Sequence, residues 1–88
     1  MSPRYRLTPH ALDEVSRRGL TPEQVESVLT SPEQIVPASG GRMAYQSKME
    51  LPDGRMMLIR AIVEEEQDGL VVVTVYRTSK IAKYWRGP

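Results

Sequence analysis

Arg60 stands between Leu58 and Ile62 in a run of apolar residues, and its guanidinium is the best electrostatic candidate in the chain for holding a phosphate. A guanidinium offers forked donors and keeps its proton, so it can stabilise the extra negative charge that develops on a phosphate in a transition state. His10 is the only histidine. Histidine is the side-chain type whose unperturbed pKa lies near neutrality, the property needed in a general acid or base. His10 for proton transfer and Arg60 for phosphate are therefore the candidate catalytic residues. Each has an ordinary alternative: a solvated histidine bonded to Glu14, and an arginine bonded to a strand neighbour.

A second constellation lies near the C-terminus, where Tyr76, Tyr84 and Trp85 are interleaved with Arg77, Lys80 and Lys83, and no acid follows Arg77. Aromatic faces for base stacking beside cations for phosphates are the materials of a single-strand nucleic-acid site. The alternative is that Tyr84 and Trp85 close the edge of a small core. Arg18 and Lys48 are further candidates for backbone contact.

Other chemistries are excluded by what is missing. The chain has no cysteine and a single histidine, which removes disulfides, thiolate metal sites and His-rich zinc sites. No phosphate-cradling glycine loop, serine nucleophile elbow or paired metal-binding carboxylate signature is present. No metal and no other cofactor is expected. No apolar run approaches the length of a membrane span, and Met1 to Arg6 lacks the apolar centre of a secretory signal, so a cytoplasmic location without a membrane partner is expected.

The elements that must position these residues follow from periodicity and turn chemistry. At 88 residues, 40% apolar and 26% charged, with net charge +1, the chain is read as one domain, 1–88, with a single core. Its helical part spans about 8–31, its sheet about 34–77, and its basic aromatic C-terminus 77–88. Thr8 followed by Pro9 predicts a helix start and Gly19 its end; Thr21, Pro22 and Gln24 predict a second start with a capping box. Ala11, Leu12 and Val15 form the expected stripe of the first helix, with His10, Glu14 and Arg17 on its polar face. Val25, Val28 and Leu29 form the buried face of the second.

From Ile35 the period becomes two. A short Ile35–Val36 segment, strands near Met43–Met49, Arg55–Glu64 and Leu70–Tyr76, and turns at Pro52–Gly54 and Gln67–Gly69 predict a three- to four-stranded antiparallel sheet. The fold class is α+β, two N-terminal helices on that sheet, closed by a short C-terminal helical turn. Parity puts the odd-numbered Met57, Ile59, Ala61, Val63, Val71, Val73 and Val75 on the helix-covered face. Gln46, Lys48, Arg60, Thr74 and Tyr76 then share the other face, with Arg60 opposite Thr74 or Tyr76. That open face is the candidate working surface.

The run His10-Ala-Leu-Asp-Glu-Val-Ser-Arg-Arg-Gly-Leu-Thr, the segment Val25 to Pro32, Tyr45, and Val73 to Tyr76 resemble domain-of-unknown-function family 4258. The resemblance covers roughly His10 to Tyr76. It implies similarity in fold to RelE-like and barnase-like ribonucleases, in which two helices pack on an antiparallel sheet and RNA meets the exposed face. It points to His10 and Arg18 in the N-terminal motif and to Thr74 and Tyr76 in the closing strand. The family commonly has a basic residue one helical turn after the histidine, where this chain has Glu14.

The expected function is a metal-independent, toxin-like endoribonuclease in which a 2'-hydroxyl attacks the adjacent phosphate while His10 transfers a proton and Arg60 holds the phosphate. Arg18, Lys48, Arg77 and Lys80 would position the strand, with Tyr76 or Trp85 stacking on a base. RNA and an antitoxin-like protein are the partners this implies. The rivals are a noncatalytic module that binds RNA or a partner protein on the same surface, and a plain structural or interaction protein.

Overall fold

The computed structural model describes residues 4–87; the ends of the expected 1–88 span, Met1–Pro3 and Pro88, lie outside them. In chain order the elements are β1 (Tyr5–Leu7), α1 (Pro9–Arg17), α2 (Pro22–Thr30), β2 (Gln34–Pro37), a 3-10 turn (Ser39–Gly41), β3 (Met43–Glu50), β4 (Met56–Glu66), β5 (Gly69–Thr78) and α3 (Ile81–Tyr84). Among the described residues no helix is long and apolar enough to cross a membrane.

Both long helices start where their caps predict. The Thr8 hydroxyl accepts from the Ala11 N–H at 3.1 Å. At α2 the Thr21 hydroxyl accepts from the Gln24 N–H while the Gln24 side chain accepts from the Thr21 N–H, a complete capping box that satisfies donors the helix cannot. Proline occupies the first turn of each helix. The stripe of α2 buries Val25, Val28 and Leu29 as expected. That of α1 departs from expectation: Leu12 is 59% exposed, whereas Glu14 is only 4% exposed. Its carboxylate is covered by Arg17 and Arg18, which both donate to it, and by His10, so an ionic cluster forms where a plain polar face was expected.

The sheet is larger than expected and mixed. Five strands run in the order β1-β5-β4-β3-β2, with β1 parallel to β5 and the remaining pairs antiparallel. The strand that the sequence hides is β1. Three residues with Arg6 between Tyr5 and Leu7 are too short for a period-two signal, and a parallel partner some sixty residues away is set by tertiary packing rather than local pattern. Gly69 makes this junction possible. Its φ of +150° and the 2.6 Å that would separate an added Cβ from the Arg4 carbonyl oxygen leave no room for a side chain, while the Leu70 N–H donates to that same oxygen at 2.8 Å.

The helices cover one face of the sheet, and the core there joins Ala11, Leu20 and the α2 stripe to Ile59, Ala61, Val63, Leu70, Val72 and Val75. The predicted parity holds along β3 and β4 and fails in half of β5. A bulge shifts the register from Ile62↔Thr74 to Val63↔Val72, making Val73 the extra residue. Val72 and Leu70 therefore enter the core where Val73 and Val71 were expected, and Val71 turns to the opposite face. The bulge lies beyond Thr74, so the part of β5 that faces Arg60 keeps its predicted register.

Candidate functional site

The register of four strands brings Gln34, Gln46, Arg60 and Tyr76 into one row across the face opposite the helices. The next row is Val36, Ala44, Ile62 and Thr74. Of the two partners parity allowed, Tyr76 is the one directly opposite Arg60, and Thr74 lies one row away.

Arg60 is 7% exposed, and Gln46 beside it is fully buried. The guanidinium donates from Nε to Gln46 Oε1 at 2.8 Å and from Nη1 to the Tyr76 hydroxyl at 2.5 Å. Its flat face lies 4.1 Å from the centre of the Tyr84 ring, a cation-π contact that returns part of the lost hydration. No carboxylate pairs with it among the described residues. The face is therefore not open over Arg60, as the sequence suggested, because α3 and the residues after it cross this part of the sheet.

That C-terminal segment forms a wall. Above the row lies a cleft of about 450 Å³ lined by Arg42, Arg60, Lys83 and Arg86, by Tyr76, Tyr84 and Thr74, and by apolar residues of β2 and β4. No acidic side chain lines it. Arg42 is bonded to Glu64 at 2.9 Å, whereas Lys83 and Arg86, like Arg60, have no carboxylate partner among the described residues. Clefts walled by one sign of charge focus the field and attract anions. The two tyrosines are driven apart: burial raises the Tyr76 hydroxyl above its ordinary value, whereas hydrogen bonding to Tyr76, followed by the charges of Lys83 and Arg60, holds Tyr84 below its own.

The candidate residues divide between the two faces. Arg60, Thr74 and Tyr76 line the cleft. Lys48 and Trp85 meet on the same face, the ammonium 4.1 Å above the indole centre. Lys80 precedes α3 with its side chain exposed and outside the cleft lining, its backbone N–H donating to Thr78. His10 and Arg18 are on α1, across the sheet from Arg60. His10 is 61% exposed with Nε2 at 3.9 Å from Glu14, and Arg18 donates to the same carboxylate. Arg77 pairs in register with Ile59, so it points to the helix side, where it lies beside Gly19 with Arg17 and Arg18.

The geometry thus does not bring His10 to Arg60, since the sheet stands between the two. Around the Glu14 carboxylate the cations Arg17 and Arg18 hold its pKa below the ordinary value, the hydrogen bond from Arg18 being the largest cause. No group of three or more potential metal ligands converges among the described residues.

Sequence reasoning missed Gln34, Arg42 and the buried role of Gln46; it named Lys83 and Tyr84 in the C-terminal constellation but not their place beside Arg60. Gln46 was placed on the correct face, and its alignment with Arg60 was there to be read from the hairpin register. The C-terminal residues carry no periodic signal that says which face of the sheet they cross.

The search of curated proteins and that of solved structures each returned no match. The family described as Domain of unknown function (DUF4258) matches residues 7–77, a span that contains the Gln34-Gln46-Arg60-Tyr76 row and both long helices. The chain belongs to that family.

Proposed function

We propose that the cleft binds single-stranded RNA through its phosphates, with Arg60 as the central contact and Tyr76 and Tyr84 as its aromatic walls. One observation carries this reading: a guanidinium only 7% exposed has no carboxylate partner among the described residues and opens on a cleft lined by other cations and no acid. Taking a charge out of water is costly without an opposite charge, and two neutral partners with one aromatic face compensate only in part. A phosphate supplies the missing charge through strong, short hydrogen bonds. Single-stranded RNA fits better than duplex because its splayed bases reach aromatic walls that a closed helix cannot.

A second reading, metal-independent cleavage at the same face, is favoured by the place of Tyr76 and Tyr84 in the cleft, both against the Arg60 guanidinium, with their hydroxyls shifted in opposite directions. Here the ionised Tyr84 oxygen takes the proton from a 2'-hydroxyl as that 2'-oxygen bonds to the adjacent phosphorus, and Arg60 stabilises the charged phosphorane. The bond to the 5'-oxygen then breaks as the Tyr76 hydroxyl, held above its ordinary pKa by burial, gives that oxygen its proton and takes back the one carried by Tyr84, leaving a 2',3'-cyclic phosphate and a 5'-hydroxyl. His10 has no part in either reading, being on the helix side.

Both are tested with a labelled, unstructured RNA in EDTA. Arg60→Met is expected to weaken binding about 10- to 100-fold, the equivalent of losing charged hydrogen bonds worth roughly 1.5–3 kcal/mol. His10→Ala is expected to change nothing. Unchanged affinity in the Arg60 variant refutes the binding site. In the second reading Tyr84→Phe abolishes cleavage with binding retained, and absence of cleavage by the wild-type protein refutes that reading alone.

A further inference from the structure

We infer that Gln34 is a positioning residue for phosphate binding: it fastens the C-terminal segment, residues 81–87, as the cleft wall that carries Lys83 and Arg86. The inference rests on the reading that the cleft binds RNA phosphates. It begins from the weakness of α3, which has four residues, no side-chain cap and no buried residue. A helix of one turn does not hold itself in water. Its place over the sheet must come from contacts with other elements.

Those contacts form one line of hydrogen bonds whose polarity starts at Arg60. Nitrogen Nε of arginine can only donate, so Gln46 must turn Oε1 toward it, and does so at 2.8 Å. Its Nε2 then faces outward and donates to Gln34 Oε1 at 2.8 Å and to the Tyr84 carbonyl at 3.1 Å. Gln34 is oriented in turn. Its Oε1 also accepts from the Arg86 N–H at 3.1 Å, and its Nε2 donates to the Arg86 carbonyl at 2.6 Å. The Gln34 amide thus grips both backbone groups of Arg86 as a neighbouring strand would. The residue that binds phosphate and the residue that fastens the wall are two ends of the same row, linked by donors and acceptors that cannot reverse without losing a bond.

Without Gln34 the Arg86 backbone loses both partners, and the segment carrying Lys83 and Arg86 is released from the cleft. This is a loss of phosphate contacts, and it has a signature that a mere loss of stability does not. For single-stranded nucleic acid the logarithm of the binding constant falls with the logarithm of salt concentration at about 0.7 per phosphate neutralised. Removing two cations should lower that slope by about 1.4.

The test measures binding of labelled oligouridylate across a salt series to wild type, Gln34→Ala, Gln34→Val, Lys83→Ala/Arg86→Ala and the combined variants. Hydrogen exchange follows the amides of residues 81–87 and of β4. The valine variant introduces a β-branched side chain in the edge strand, so that strand propensity is retained. Expected are a shallower slope in both Gln34 variants, matching the Lys83/Arg86 double variant with no further loss on combination, and faster exchange confined to residues 81–87. An unchanged slope, losses that add, or loss of β4 protection in both Gln34 variants overturns the inference while wild-type binding leaves the RNA reading standing. Absence of salt-dependent binding by the wild-type protein overturns both.

Discussion

Replacing Arg60 and Gln46 together by apolar residues of similar size, Arg60→Met with Gln46→Leu, should stabilise the fold while abolishing phosphate binding. In the native row a guanidinium 7% exposed is held by a neutral amide and a phenol, with no carboxylate among the described residues. Exchange of buried ionic groups for well-packed apolar ones is neutral or favourable by about 1–4 kcal/mol. The cation-π contact with Tyr84 at 4.1 Å, and the bonds Gln46 donates to the Tyr84 carbonyl and to Gln34, already offset part of the burial cost, which places the expected gain near the lower end, at about 1 kcal/mol. Arg60→Met alone forgoes that gain, because Gln46 is fully buried and its orphaned Oε1 costs about 1–3 kcal/mol. For a domain of this size a gain of about 1 kcal/mol raises Tm by about 4–8 °C. Thermal unfolding should be followed by far-ultraviolet circular dichroism, since Trp85 fluorescence would report the C-terminal segment instead. A double variant less stable than wild type by more than about 1 kcal/mol would refute the reasoning, and would mean that the Arg60 row holds the sheet together.

Two further predictions concern the helix side and the sheet edge. Glu14 is held below its ordinary pKa in the folded protein, so its contribution is complete above the unfolded value and is lost as pH falls through the lower folded one. Glu14→Gln should therefore lower stability at neutral pH and flatten the acid limb of a Tm-against-pH curve; an acid limb as steep as that of wild type would count against the cluster. Gly69→Ala should destabilise by more than about 1 kcal/mol, because its Cβ would meet the Arg4 carbonyl oxygen at 2.6 Å in a backbone conformation alanine adopts poorly. Urea unfolding measures the loss, and exchange at the Leu70 amide, which donates to Arg4, should accelerate first.

The pattern of the sequence reveals an element when its signal is local, and the helix starts at Thr8 and Thr21 were legible for that reason. So were β3 and β4, expected near Met43–Met49 and Arg55–Glu64 and found at Met43–Glu50 and Met56–Glu66. The hairpin register then placed Gln46, Arg60 and Tyr76 on one face before any coordinates were needed. Three things were not legible, each for a physical reason. β1 depends on a partner far along the chain. The bulge at Val73 is invisible in a run of four successive apolar residues, Leu70 to Val73, where either parity satisfies the pattern. The segment that crosses Arg60 has a helix of only four residues, too short for a periodic signal that names the face it covers.

The same division of faces separates the apolar core from the polar cleft. The helix side holds the fold: α1 and α2 bury Ala11, Val25, Val28 and Leu29 against the odd-numbered residues of β4 and against β5. The opposite side carries a buried cation, a fully buried amide and a wall fastened by side-chain amides, all of which cost stability or add little of it. The part matched by the family, residues 7–77, supplies the row from Gln34 to Tyr76, while Lys83, Tyr84 and Arg86 lie beyond it. Changes in that outer segment can therefore alter the charge and width of the cleft without disturbing the core. If the cleft binds phosphate as proposed, an Arg60 row inside the family-matched residues beneath a wall outside them would let one fold keep that contact while the rest of the surface varies.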